Sequence, residues 1–579
     1  MSITKSQTDK IGSIFKGNHF TIPKYQRKYS WTEIETKALW NDINESIGNG
    51  MNHFVGTLCF KENKSKGLST DTEYEVIDGQ QRLTTLFLML SVLIEKISDK
   101  DIREQQQEAF IGQNGKLKLL PQGIDGDFLT KLVFDFKSIE KDKLTKRSQK
   151  LMYAAKEQFL SLAGGLTEEE ITDWIIYVRN GIVVLVFNVE NQAQAVKMFS
   201  IINDRGLPLR ILDKTKSILM LYSTLYLNEN LNSLINDKFE NIFDAYDDIL
   251  VLKSELGILG RFEENTIFTH HYYSAHKYFA ETWNNRDGAN TIFSNIKNKC
   301  ELLREDSKKL KEFIKGYVSD FSEFSINYGS LIIKVKTEDS YQKPFRFLEF
   351  TATLYPVLVR LHMQNKLDEL IKLLENLEVR VYKLKGTNPI ADMYWLSSRL
   401  NYEDLATKEI RKILINFGER FMGDHTFKTY LGENVYDNGA VKYILGELNN
   451  EDLTYSTYKA LQVEHIFSRE PNFDTSTYGF DETYDYEKNR IGNLSLIEES
   501  LNKSSLVRNN PPINKVDGYL KSGIRIMRDL AGKINADSFN KEKVDLRREE
   551  IIDFCIIRFP YQISPVANII GFKAQLSKK

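Results

Sequence analysis

Cysteine is nearly absent from this 579-residue chain: Cys59, Cys300 and Cys555 lie far apart, with no CxxC pair. A disulfide framework and a cysteine-built zinc site are both excluded, and a reducing compartment fits. Proline (11) and glycine (32) are sparse as well, which excludes collagenous and low-complexity classes. Long apolar runs are missing too. The longest, residues 83–94, contains two threonines and falls short of the roughly 20 residues that span a bilayer. The first fifteen residues lack the basic and apolar regions of a signal peptide, so the expectation is a cytoplasmic protein with no membrane partner. What is present is 41% hydrophobic, 12% aromatic and 27% charged residues, a globular composition long enough for several folded units. Net charge is −2, yet residues 501–579 carry 15 Lys/Arg against 8 Asp/Glu, so the C-terminal end alone is suited to polyanions.

The hydrophobic pattern predicts an α+β, mainly helical protein. Spacings of three and four at Ile34, Leu39, Ile43 and Ile47 mark a helix, and residues 54–60 and 74–77 read as strands. Asp78-Gly79 is expected to stop the second strand and cap a helix over 80–97. Residues 100–180 read as helical apart from a break at 112–126, and 182–187 is a β-branched run suited to a buried strand. From about 215 to 455 helical spacing dominates, with 319–343 read as a loop or junction. After 455 a strand, a polar aromatic loop, a second strand and a helix make a compact ββα unit.

Within that unit Glu464-His465, Asn493 and Asn502-Lys503 follow in order. Phosphodiester hydrolysis needs a base that takes a proton from water and a hard cation held by oxygen ligands. His465 can be the base. Glu464 and Asn502 can supply oxygens to Mg²⁺ or Mn²⁺, and Asn493 can hold the loop carrying His465 through backbone hydrogen bonds. A purely structural role for the same residues is equally open on spacing. The ordered segments Val463-Glu-His-Ile-Phe, Arg490-Ile-Gly-Asn-Leu-Ser-Leu-Ile, Leu501-Asn-Lys and Lys515-Val-Asp-Gly-Tyr519-Leu-Lys-Ser522 resemble the C-terminal HNH domain of the GmrSD-type restriction family. Ser468 replaces the usual proline, and Glu464 the usual aspartate, which puts the metal role of position 464 in question.

A second constellation is Asp78-Gly79-Gln80-Gln81-Arg82, which can aim amides and a guanidinium at an oxyanion. Alternatively, Asp78 caps the helix and Arg82 pairs with a local acid. Together with Ile22-Pro-Lys-Tyr25-Gln26-Arg27-Lys-Tyr-Ser-Trp31 and His53-Phe-Val-Gly56, it resembles the N-terminal, ParB-like domain of the same family. The segment from Ala195 through Asn203, Arg205 and Gly206 to Asp213 is similar to the pattern that closes that domain; locally, Asp213 can cap the next helix. Tyr25, Tyr29 and Trp31 beside Gln26 and Arg27 could stack bases or serve as core anchors.

The resemblance implies a ParB-like α/β domain over 1–230, a helical connector over 231–455 and a ββα-metal HNH domain over 456–579. It implies that the first domain senses a nucleoside triphosphate, which it can also hydrolyse, and modified phage DNA, while the last cuts or nicks DNA with Mg²⁺ or Mn²⁺. Tyr25, Gln26, Arg27, Asp78, Gln80, Gln81, Arg82, Asn203 and Arg205 become sensing residues, and His465, Asn493 and Asn502 catalytic ones. A homo-oligomer is compatible. Two other readings stand beside this one: a nucleotide-binding regulator with an inactive HNH unit, and an RNA-directed toxin. His270, His271 and His276 lack the i, i+4 spacing of a metal pair on one helix face and read as structural.

Overall fold

A computed structural model describes the chain except residues 1–5, 24–25, 64–71, 190–209, 261, 450–452, 537 and 563–579. The chain divides into two compact units, one of residues 1–252, 263–271 and 278–329, the other of 253–262, 272–277 and 330–579. The class is α+β and mainly helical.

The first unit is built on a six-stranded mixed sheet in the order β1-β8-β3-β4-β2-β7. Its strands are β1 (Ser6–Lys10), β2 (Asn18–Ile22), β3 (His53–Asn63), β4 (Thr72–Asp78), β7 (Leu119–Pro121) and β8 (Ile182–Val189). Two short strands, β5 (Gly112–Gln113) and β6 (Lys116–Leu117), pair as a separate hairpin in the expected helix break. β3 runs parallel to β8 and antiparallel to β4. β8 lies inside the sheet, which explains its β-branched run. Around the sheet are α1 (Ile11–Phe15), α2 (Glu33–Gly48), α3 (Gln80–Glu95), α4 (Lys100–Phe110), α5 (Ile124–Phe134), α6 (Arg147–Ala163) and α7 (Glu168–Asn180). Thr32 and Glu35 start α2 with reciprocal bonds between side chains and backbone. Trp40 of α2 stacks on Trp174 of α7 at 4.0 Å, which ties those helices together. Every residue of α3 from Leu83 to Ile94 is buried, so the apolar run is a core helix, hydrophobic all round because it is covered all round. Among the described residues no helix is long and apolar enough to cross a membrane.

Three local expectations are corrected. Residues 319–337 belong to a continuous helix, Ser307–Thr337, not a loop. Phe321, Phe324, Tyr328, Leu331, Ile332 and Val335 recur at three and four and are all buried, a pattern that outweighs the intervening Ser, Tyr and Asp. α3 starts at Gly79, with φ +91° and no side-chain cap, so Asp78 does not cap it. The following helix, α8 (Ile211–Tyr226), starts after Arg210, which places Asp213 in its first turn and not at the cap. The rest of the unit includes α9 (Asn232–Leu256) and α10 (Glu264–Tyr273), of which residues up to 252 and from 264 to 271 belong here.

The second unit is helical until residue 460 and then forms a two-stranded antiparallel sheet of β9 (Leu461–His465) and β10 (Leu494–Glu498). His465 lies opposite Leu494, and Glu464 opposite Ser495. The helix after β10 is only Glu499–Asn502; it packs on the sheet with the helices Val441–Asn449 and Arg525–Ala536. α11 (Pro512–Leu520) reaches β9 through Lys515 and Tyr519, while α12 (Lys541–Arg558) packs on the Ile491–Asn493 turn before β10.

Candidate functional site

β9 and the loop after it are fixed by backbone bonds. Asn493, in the turn before β10, accepts from Phe467 N with Oδ1 (2.7 Å) and donates with Nδ2 to Phe467 O (2.9 Å) and Lys488 O (2.7 Å). Its own carbonyl accepts from Ile466 N at 2.9 Å. One amide thus satisfies the loop on both sides of the histidine strand, which makes Asn493 a positioning residue. The turn is held in place by Arg547 of α12, whose Nη1 donates to Gly492 O and Leu494 O, both at 2.7 Å. Burial pushes the Arg547 guanidinium down to about 10. Gly492 allows that packing, because a Cβ there would lie 2.2 Å from Val544 O. Ser468, at the position of the usual proline, is buried and donates to Asn510 O at 3.2 Å.

Successive side chains leave a strand on opposite faces. The His465 ring packs on Tyr436 with centroids 4.3 Å apart, and its Nε2 lies 2.9 Å from Asn489 Oδ1. An amide oxygen only accepts, so Nε2 carries the proton and Nδ1 the lone pair. Burial lowers the imidazole to about 4, helped by the positive charges of Lys515, Arg469 and Lys488 and opposed by the Asn489 bond. The ring is therefore neutral at physiological pH. Arg469 also lies over the Tyr436 ring at 5.7 Å.

Glu464 turns the other way, into α11. Its Oε1 accepts from Lys515 Nζ (2.7 Å) and Tyr519 OH (2.8 Å), two donors at i, i+4 on one helix face. Lys515 also donates to His465 O at 2.7 Å. All three side chains are buried; burial lowers Lys515 and raises Tyr519 well above its ordinary range. Asn502 donates to Gln462 Oε1 at 3.2 Å. The expected catalytic group thus divides: Asn489 and Tyr436 face His465, while Glu464 is engaged by the Lys515-x3-Tyr519 motif, which continues to Ser522 on Glu498 Oε2 at 2.8 Å. Among the described residues no group of three or more His, Cys, Asp and Glu stands together as a metal site. Sequence reasoning missed Asn489 and Tyr436, because nothing in the linear pattern separates them from other loop polar and aromatic residues.

In the first unit the expected sensing residues converge, but mostly on backbone. Gln26 Nε2 donates to Ile77 O (2.9 Å), Gln80 Nε2 to Arg27 O (2.7 Å) and Gln81 Nε2 to Lys28 O (3.0 Å), while Gln81 Oε1 accepts from Ser30 N (2.8 Å). The two glutamines therefore bind the 26–31 segment to the start of α3. Tyr29 OH reaches Thr85 Oγ1 at 2.8 Å and is buried, a core anchor. Arg82 donates to Val55 O (3.1 Å) and lies 3.6 Å from Asp78. Burial raises Asp78, which Arg82 opposes. Gly56, at φ +109°, leaves room for this guanidinium: a Cβ would lie 2.1 Å from Arg82 Nη1. Arg27 reaches Glu264 of α10. Asp213 lies close enough for Arg27, Glu264, Lys216 and Asp78 to act on it, and burial pushes its carboxyl up to about 6. Tyr25, Asn203 and Arg205 fall outside the described residues. His271 Nε2 bonds Asp320 at 2.9 Å with its ring stacked on Phe321, and burial lowers His270 to about 3.

Residues 11–220 match the N-terminal domain of the GmrSD restriction endonucleases, and residues 421–554 their C-terminal domain. The two matches cover more than half of the chain. No curated protein matches it.

Proposed function

The chain belongs to the GmrSD restriction endonucleases, and from that premise we propose that it hydrolyses DNA phosphodiesters with His465 as general base, under the control of nucleoside triphosphate and modified phage DNA sensed by the first unit. The observation that carries the chemistry is His465 itself: buried, neutral, its Nε2 fixed by Asn489 and its loop fixed by Asn493. Nδ1 takes a proton from water, the resulting hydroxide attacks phosphorus, and the P–O bond to the leaving oxygen breaks, that oxygen taking a proton from solvent water while Nδ1 returns its own to solvent. Arg469 and Lys488 place positive charge beside the imidazole, where the phosphodiester must sit.

A divalent cation is part of this proposal. Glu464 and Asn502 are the oxygen ligands expected for Mg²⁺ or Mn²⁺. Glu464, however, leaves β9 on the face opposite His465 and is taken by Lys515 and Tyr519, and Asn502 donates to Gln462, so as they stand these side chains do not fit an ion beside the histidine. A cation held instead on the His465 face would supply neutralisation of the scissile phosphate and its leaving oxygen. Lys515 already neutralises Glu464, an arrangement that favours one second reading, an HNH unit lacking its metal carboxylate. The test is cleavage of unmodified and modified phage DNA, and of RNA, by wild type and His465→Ala. Each is run with Mg²⁺, Mn²⁺ or chelator, and with or without nucleoside triphosphate. Cleavage lost in His465→Ala and in chelator supports the proposal; His465→Ala cutting like wild type overturns it. No cutting of either nucleic acid by wild type supports the inactive reading, and RNA cutting alone the toxin.

A further inference from the structure

The His465 ring is met by a segment that lies ahead of the ββα unit. Residues 434–440 form a turn whose backbone is tied at both ends. Asn434 makes an antiparallel bridge with Arg490, and Val435 N donates to Asn489 O at 3.1 Å. Asn489 therefore serves twice: its side chain fixes His465 Nε2, and its carbonyl fixes the turn. Further along, Asn438 donates with Nδ2 to Leu384 O and accepts with Oδ1 from Ala440 N, both at 2.8 Å. Its own N–H closes the turn on Val435 O at 2.9 Å. Tyr436 stands between these two anchors, so its side chain is presented from a pinned backbone.

The Tyr436 ring is partly exposed and touches two groups of the proposed chemistry, His465 at 4.3 Å between centroids and the Arg469 guanidinium at 5.7 Å. A tyrosine hydroxyl that serves packing finds its acceptor inside the protein. Tyr484 OH donates to Ser468 O at 2.6 Å, and Tyr519 OH to Glu464 at 2.8 Å. The Tyr436 hydroxyl differs: it has no hydrogen-bond partner among the described residues, and His465 Nδ1 has none either. Arg469 is exposed and has no carboxylate partner among them. One small area thus gathers a lone pair, a hydroxyl and a guanidinium that the fold does not use. A phosphodiester carries two non-bridging oxygens, which only accept, and the last two groups are donors.

We propose that Tyr436, supplied from outside the ββα unit, is a catalytic residue of the endonuclease, its hydroxyl donating to a non-bridging oxygen of the scissile phosphodiester while its ring packs on the His465 imidazole. The bond strengthens as hydroxide adds to phosphorus and negative charge grows on that oxygen, so it acts in the transition state. No proton changes owner at the phenol; proton traffic stays with His465 and solvent. This deepens the reading of His465 as general base and rests on it.

The test is steady-state cleavage of duplex phage DNA by the full chain as wild type, His465→Ala, Tyr436→Phe and Tyr436→Leu, with melting curves on the same samples. Tyr436→Phe keeps the ring on His465 and removes only the hydroxyl. Its melting temperature should match wild type, while kcat should fall about 10–100-fold with KM little changed. Tyr436→Leu should lose at least as much activity and melt lower, because the ring contact goes too. If Tyr436→Phe cuts like wild type, the ring is packing alone and the proposal is overturned. A loss wholly in KM, or a lower melting temperature of Tyr436→Phe, overturns it as well, since the hydroxyl then serves DNA away from the scissile phosphate or serves the fold. His465→Ala separates the two readings. Wild-type-like cutting by His465→Ala, or no cutting by wild type, removes the general base and the phenol together; an inactive His465→Ala beside an unimpaired Tyr436→Phe removes only the phenol.

Discussion

His465 is neutral because it is buried, and that has a consequence for stability as well as for chemistry. Unfolded, the imidazole titrates near its ordinary 6.5; folded, at about 4. Between these values the unfolded chain binds a proton that the folded chain does not. The contribution is therefore complete above about pH 6.5 and is lost as pH falls through 4, by up to roughly 3 kcal/mol. Melting between pH 7 and 4.5 should consequently fall more steeply for wild type than for His465→Gln; equal slopes would place the proton elsewhere. Asn489 acts through the ring. Asn489→Ala frees Nε2 to exchange tautomers, and cleavage should drop roughly 10–100-fold in kcat with little change in KM. An effect on KM alone would make Asn489 a group that touches substrate. Of these residues, His465 and Asn493 are legible in the sequence, because a histidine beside an acid and an Asn in a Gly-Asn turn are types with few roles. Asn489 and Tyr436 are not, since they meet the ring only through the fold.

At the scale of elements, α11 is a clamp. Its i, i+4 pair Lys515 and Tyr519 converges on one oxygen of Glu464, while Lys515 also takes the His465 carbonyl. Lys515→Met would leave a buried carboxylate without its counter-charge, a loss of about 3–5 kcal/mol. Glu464→Gln in the same chain removes that charge, so the double variant should recover a large part of the stability. A double variant as unstable as Lys515→Met would show that the lysine acts through packing or through the His465 carbonyl instead. The spacing Lys-x3-Tyr is visible in the sequence, but its target is not: the bond to Glu464, 51 residues from Lys515, depends on tertiary packing. Regular elements are more legible than their junctions. α2, β3, β4, α3 and β8 lie where apolar periodicity puts them, since burial on one face or two imposes that periodicity. The expected break at 319 in the helix Ser307–Thr337 comes from weighing polar residues above the Phe321, Phe324 and Tyr328 stripe. Asp78 and Asp213 suggest caps by residue type alone, whereas cap geometry is set by backbone at Gly79 and Arg210.

Across the whole molecule, charge restricts where a polyanion can be held. A net charge of −2 gives no long-range attraction for DNA, and attraction must come from local surfaces. Residues 501–579 carry the excess of positive charge, but many of its cations are already paired, as Lys503 is with Glu499 and Arg548 with Asp545. Arg508 is exposed with no carboxylate partner among the described residues, and exposed Arg469 stands over Tyr436, beside His465. These two guanidiniums are well placed to displace counterions from a phosphate backbone. Removing one cation that binds a phosphate should lower the slope of log affinity against log salt by about 1. The variant carrying Arg469→Ala and Arg508→Ala should therefore bind duplex DNA more weakly at roughly 50 mM salt, converge on wild type near roughly 200 mM, and show a slope lower by about 2. Sequence preference should not change, because cations that grip phosphates read no bases. The measurement is a fluorescence-anisotropy titration at several salt concentrations on two unrelated duplexes, with His465→Ala as background so that no strand is cut. A slope unchanged by both substitutions would place the DNA on another surface and leave His465 without a phosphate to act on.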